Sequence, residues 1–256
     1  MTPYYADESV TLYHGDAREV LPLIRADADC IVTDPPYGET SLEWDRWPTG
    51  WPSWLTGYAS SMWCFGSMRM FLDHRDEFAD WKLSQDVVWE KHTGSGPGLT
   101  DRFYRVHEVV THWYRGQWSE IYHSAPRTLY NGPRKAWTPS GRPQTARTAH
   151  RGAIGERAGY QDDGTRLMRS VVRAQSMHGN AINETEKPVG ILEPLIAYAC
   201  PPGGMVLDPF AGSCSTAVAA RAIGRRAVCI EAREQQCEAA AKRLAQQPLD
   251  FGEVSA

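Results

Sequence analysis

The chain has 256 residues, 23% of them charged and 42% apolar or aromatic, which excludes a disordered or fibrous chain. Mean hydropathy is −0.48, and no apolar run approaches the roughly 20 residues a membrane-spanning helix needs. The net charge of −4 divides into −9 over residues 1–124, +7 over 125–175 and −2 over 176–256, so one Arg-rich stretch in an acidic protein points to a local anionic partner.

In chain order, Val10 to Tyr13 is a β-rich run ended by His14-Gly15-Asp16. The apolar pattern predicts a short helix over 17–24 despite Pro22, then a buried strand over 29–33 ended by Asp34-Pro35-Pro36-Tyr37. After a Trp- and Pro-rich loop come a strand at 62–65, a helix over 69–81, and strands at 85–89 and 108–113, the last two separated by a glycine-rich loop. From 116 to 180 periodicity disappears, and Gly, Pro, Arg, Thr and Ser dominate. The pattern resumes with a helix over 188–200, a strand at 205–207, a glycine loop, a small-residue helix over 215–223, a strand at 227–230 and a helix over 234–246. Strands alternating with helices on both sides of an irregular insert argue for an α/β protein with a mostly parallel sheet. Met1 to Glu8 lacks the basic flank and apolar core of a signal peptide. The six scattered cysteines form no CxxC pair and the histidines have no ligand spacing, so reduced thiols in a cytoplasmic protein without metal are expected.

Two loops carry chemistry. Asp34-Pro35-Pro36-Tyr37 follows a strand, where open α/β sheets place their ligands. Its prolines fix φ and remove two donors. A carboxylate, a bare carbonyl and an aromatic face held stiffly suit a planar amino group. The second loop, Asp208-Pro209-Phe210-Ala211-Gly212-Ser213-Cys214-Ser215-Thr216, joins a strand to a helix, and Glu231 ends the next strand. A glycine loop followed by an acid about 20 residues on is the spacing that grips a ribose. With no GxGxxG, a nucleoside bearing an amino-acid-like tail fits better than a dinucleotide.

Together these loops resemble motifs IV and I of the S-adenosylmethionine-dependent DNA amino-methyltransferases, in the order of the permuted β group. His14-Gly15-Asp16, Trp89-Glu90-Lys91, His107-Glu108 and Glu184-Thr185-Glu186-Lys187-Pro188 are similar to further elements of that family. The resemblance implies a Rossmann-like fold with a seven-stranded sheet containing one antiparallel strand. It implies three parts: a catalytic half at 1–115, a target-recognition insert at 116–180 and a cofactor half at 181–256. It implies S-adenosylmethionine as cofactor and N6 of a flipped-out adenine in double-stranded DNA as acceptor. A cytosine N4 enzyme, or a catalytically impaired DNA-binding protein of the same fold, stays open as an alternative. Asp34, Pro35, Pro36 and Tyr37 would hold the target amine. Asp16, Lys187, Asp208, Pro209, Phe210, Ala211, Gly212, Ser213, Ser215, Thr216 and Glu231 would hold the cofactor, with Lys187 on its carboxylate side. Arg127, Arg134, Lys135, Arg142, Arg147 and Arg151 would contact DNA. A homodimer and a cognate restriction endonuclease are the further partners the resemblance admits, and a membrane is not among them. One departure stands out: Cys214 takes the place of the family's second loop glycine, where a Cβ and sulfur are expected to crowd the cofactor tail or shift the backbone.

Overall fold

The computed structural model describes residues 1–24, 26–95, 101, 103–132, 162–175 and 186–246. β1 (Tyr5–Ala6) and β2 (Val10–His14) form a hairpin whose turn is tied by Asp7, which accepts from the amides of Ser9 and Val10 at 2.8 Å. Asp16 caps α1 (Ala17–Val20). Pro22, with no N–H to continue the ladder, converts the rest of the expected helix into a 3-10 turn, Leu21–Leu23. β3 (Cys30–Thr33) and, after α2 (Trp51–Trp54), β4 (Ser61–Gly66) are buried at every position, as parallel strands covered on both faces are. α3 (Met68–Asp73) stops well short of residue 81, because His74 leaves helical geometry and a 3-10 turn, Arg75–Phe78, follows.

β5 (Lys82–Ser95) and β6 (Arg105–Tyr114) run longer than the sequence pattern implies. Within 116–180 lie three strands of three residues each, β7 (Arg127–Leu129), β8 (Thr165–Leu167) and β9 (Val171–Arg173), too short to leave a readable alternation. α4 (Val189–Ala199), β10 (Met205–Asp208), α5 (Ser215–Ala222), β11 (Arg226–Glu231) and α6 (Glu234–Ala245) follow. Among the described residues no helix is long and apolar enough to cross a membrane.

Two compact units result, Met1–Ser124 with Arg169–Ala256, and Ala125–Met168. In the first, nine strands form one sheet in the order β1-β2-β11-β10-β3-β4-β6-β5-β9. Seven of them, β2 to β5 in that order, are the expected mostly parallel sheet with one antiparallel strand, β6. The short edges β1 and β9 extend it beyond seven, and β9 brings residues 169–175 into this unit. The second unit, narrower than 116–180, contains the antiparallel pair β7–β8, with Arg166 bonded to Asp162 at 2.7 Å and lying over the Tyr130 ring.

The pleat sorts the strand residues between two faces. Ile31, Met62, Cys64, Leu207, Val228 and Ile230 join Trp51, Leu55, Met70, Phe71 and Phe78 in one buried cluster under α1 to α3. On the opposite face α4 lies on β3 and β4 and packs against α5, which lies on β10 and β11. The segments leaving β10 and β3 thus go to opposite faces, and a crevice opens at the carboxyl ends of those two neighbouring strands.

Candidate active site

The crevice is a cavity of about 550 Å³ lined from both chain halves, with Asp34 to Tyr37 at one side and Gly212, Glu231 and Arg233 at the other. That is the size of a small-molecule site. β11 pairs with β2 so that Glu231 lies beside His14, and Gly15 donates its amide to the Glu231 carbonyl at 3.0 Å. The carboxyl ends of β2, β11, β10 and β3 therefore present Asp16, Glu231, Asp208 and Asp34 along one rim.

Asp208 is buried and holds the loop together. Its Oδ1 accepts from Thr33 Oγ1 at 3.1 Å and the Phe210 amide at 3.2 Å, and its Oδ2 from Thr216 Oγ1 at 2.6 Å. Burial pushes its pKa up to about 7. The loop backbone turns through Gly212, at φ 51°, whose amide donates to Glu231 Oε2 at 2.8 Å. Glu231 Oε1 accepts from the amide and Nε of Arg233, and the Arg233 guanidinium lies 4.7 Å from the Trp44 ring centroid. Beneath the first turn of α5, Ser215 Oγ donates to Glu186 Oε1 at 3.1 Å, and Arg243 Nη1 donates to Ser215 Oγ at 3.0 Å. Arg243 also pairs with Glu186. Asp16 caps α1 through the Arg18 amide and also reaches the cavity. Pro209, Phe210, Ala211, Ser213, Ser215 and Thr216 line the cavity as well.

Cys214 does not behave as its sequence position implies. It keeps the left-handed conformation of a glycine, φ 57° and ψ 34°, as the cap of α5. It is the one non-glycine residue with positive φ among those described. Its thiol is buried and faces Cys229 of β11, away from the cavity lining. Holding that conformation with a Cβ costs about 1–2 kcal/mol.

At the other side, Tyr37 donates its hydroxyl to Asp34 Oδ1 at 2.6 Å, and Lys187 donates to Asp34 Oδ2 at 2.5 Å. Lys187, expected at a cofactor carboxylate, thus sits between two protein carboxylates, since Glu108 Oε2 is 3.4 Å from the same ammonium. Glu108 also pairs with Lys91. Burial raises the Asp34 pKa and Lys187 opposes that rise, leaving it above the ordinary carboxylate value. Burial alone would lower the Lys187 ammonium, but Asp34 and Glu108 outweigh it and its pKa is raised.

The chain after Tyr37 is tied by a residue that motif reading missed. Asp45, 3% exposed, accepts from the Gly38 amide at 2.8 Å and from the Thr40 amide and hydroxyl at 2.7 Å. Lys91 and Glu108, which pair with each other beside Lys187, also lie outside the site as read from sequence. Of the arginines expected to meet DNA, Arg127 is engaged in the second unit, with Nε on Thr165 Oγ1 at 2.6 Å and Nη2 3.3 Å from Asp163. Arg134, Lys135, Arg142, Arg147 and Arg151 lie outside the described residues.

Comparisons with known proteins agree with this geometry. A family described as DNA methylase, of the N6/N4 type, matches residues 28–242. The chain is 23% identical to the type II methyltransferase M2.DpnII of Streptococcus pneumoniae over 94% of its own length and 92% of the relative's. It is 54% identical to YubD of Escherichia coli over 67 residues, 26% of this chain and 30% of that one. Among solved structures, M1.HpyAVI in complex with SAM superposes with a TM-score of 0.62 at 19% identity, over 93% of this chain and all of that one. PvuII DNA methyltransferase (cytosine-N4-specific) superposes at 0.60 and 15% identity, over 96% of this chain and 90% of that one.

Proposed function

The chain belongs to the DNA methylase family, and on that footing we propose that it methylates the exocyclic N6 of adenine in duplex DNA, with S-adenosylmethionine as donor. The observation that carries this reading is the placement of Asp34 on the same cavity as Gly212 and Glu231, at the ends of neighbouring strands. The cavity fits the donor: it has nucleoside dimensions, an acid for ribose hydroxyls in Glu231, and apolar contact from Pro209 and Phe210.

S-adenosylmethionine supplies an activated methyl group. The chain's own residues do the rest. Glu231 accepts the ribose hydroxyls, Asp16 the adenine amine, and the Gly212 loop allows close approach of backbone. An exocyclic amine is a weak nucleophile because its lone pair is delocalised into the ring. Asp34 and the Pro35 carbonyl accept its two N–H bonds, draw the nitrogen toward tetrahedral geometry and direct its lone pair at the donor. Tyr37 stacks on the flipped base and holds Asp34 in register through its hydroxyl. Catalysis then comes from orientation and electrostatics, with no covalent intermediate.

An acid in the leading position of the Pro-Pro-Tyr turn, where serine is frequent in cytosine N4 enzymes, supports adenine. Purified protein incubated with S-adenosylmethionine and duplex DNA, followed by mass spectrometry of the nucleosides, tests the reading. N6-methyladenine is expected, and it should vanish with Asp34→Ala. N4-methylcytosine would move the assignment to the other base, and no methylated nucleoside would reject it.

A further inference from the structure

Lys187 lies two residues before α4, 153 residues from Asp34 in sequence, and its ammonium is nearly buried. It bridges Asp34 Oδ2 and Glu108 Oε2 and stands 5.3 Å from the centre of the Phe65 ring. The groups facing Asp34 come from every side. Tyr37 is on its own turn, Lys187 precedes α4, Glu108 is on β6 with Lys91 of β5 behind it, Cys64 is on β4 and Asp208 on β10. Lys187 is the one cation in direct contact with the Asp34 carboxylate among these groups. Without it, two buried carboxylates would share a low-dielectric corner, an arrangement in which one takes up a proton.

We propose that Lys187 is a positioning residue for Asp34: held between Asp34 and Glu108, its ammonium keeps Asp34 ionised and fixes Oδ2, so that the carboxylate is ready to accept an N–H from the target amine. The catalytic consequence rests on the methyl-transfer reading. The charge relation does not. Glu108 acts in the opposite sense to Lys187, since its negative charge makes ionisation of Asp34 harder. Lys91 offsets part of that charge by pairing with Glu108.

The test is a carbon-13 NMR titration of aspartate side-chain carboxyls in the full chain, with the Asp34 signal assigned by its loss in Asp34→Asn. Lys187→Met should raise the Asp34 midpoint by about 1–3 pH units. Lys187→Arg should return most of that shift, and Glu108→Gln should move the midpoint down. The acid limb of the turnover profile should follow the midpoint in each variant, while calorimetric affinity for S-adenosylmethionine stays at the wild-type value. An unmoved midpoint in Lys187→Met, or a drop in donor affinity in its place, overturns the proposal. If Lys187→Met does not fold, Lys187→Gln is titrated in its place, with the same rise expected and an unmoved midpoint overturning the proposal. A shifted midpoint in a protein that transfers no methyl group would leave this inference standing and remove the methyl-transfer reading.

Discussion

Asp45→Asn isolates one carboxylate that organises the loop behind the reactive turn. Asp45 takes three hydrogen bonds from Gly38 and Thr40, and the Tyr37 amide also lowers its pKa, which places the carboxylate behind the aromatic residue of the site. Asparagine has nearly the same shape but one acceptor oxygen. Whichever way the amide turns, either the Gly38 amide or the Thr40 pair then faces an NH2 group. Hydrogen bonds to a charged acceptor contribute about 1.5–3 kcal/mol each. Thr40 and its neighbours are exposed, so part of that loss is recovered by water, and about 2 kcal/mol is expected to remain. At about 1.4 kcal/mol per factor of ten, this is roughly a 30-fold faster amide exchange at Gly38 and Thr40. NMR hydrogen exchange reads it directly. Strand amides of β3 and β10 should keep their protection, and turnover should fall while donor affinity holds. Unchanged exchange at Gly38 and Thr40 would refute the idea that Asp45 ties the loop. Equal loosening throughout the sheet would show instead that its role is global.

Three other perturbations separate the parts of the site. Glu231→Gln should weaken S-adenosylmethionine binding by about 1–3 kcal/mol, read by calorimetry, because an amide cannot match a buried carboxylate as acceptor for two hydroxyls. Unchanged binding would mean the ribose is held elsewhere. Cys214→Gly should shift unfolding free energy by less than about 1 kcal/mol, since release from the left-handed conformation offsets the lost thiol packing. Cys214→Val, branched at Cβ in the same conformation, should lose more than about 2 kcal/mol in urea titrations. Asp208 holds its proton more tightly folded, at about 7, than its ordinary 3.8. Its contribution to stability should therefore be full below pH 3.8 and be lost as pH rises toward 7. Asp208→Asn should flatten that decline in urea midpoints measured across this window, and a slope equal to wild type would count against the raised value.

Much of the architecture was legible because its signals are local. The runs at 29–33 and 205–207 end in Asp-Pro dipeptides, and a buried parallel strand ended by such a turn is a short, self-contained pattern. Glu231 could be placed from its distance to Gly212 alone, and the structure bonds the two directly. What sequence reading missed depends on partners far away. β1 and β9 are strands because β2 and β5 offer them an edge. The span 69–81 has helical periodicity throughout, yet His74 breaks it, and the rings of His74 and Trp47 then stack 3.9 Å apart. Lys187 carries no mark in sequence of which carboxylate it will meet. The left-handed turn at Cys214 sends the sulfur inward, a direction that residue type does not encode.

The placement of β10 and β11 between β2 and β3 sets an order on how the chain can assemble. β2 and β3 emerge first during synthesis, but neither pairs with the other; each waits for a strand about 170–220 residues later, the slow regime of high contact order. Until β11 leaves the ribosome β2 lacks its inner neighbour, and until β10 does β3 has one bare edge, an invitation to pair with another nascent chain. A stop anywhere before β11 would therefore remove the middle of the sheet, not trim its margin. Joining residue 256 to residue 1 and reopening the chain before Glu186 would make β10 and β11 the first strands synthesised, with β2 and β3 arriving to complete both sides of a seed already formed.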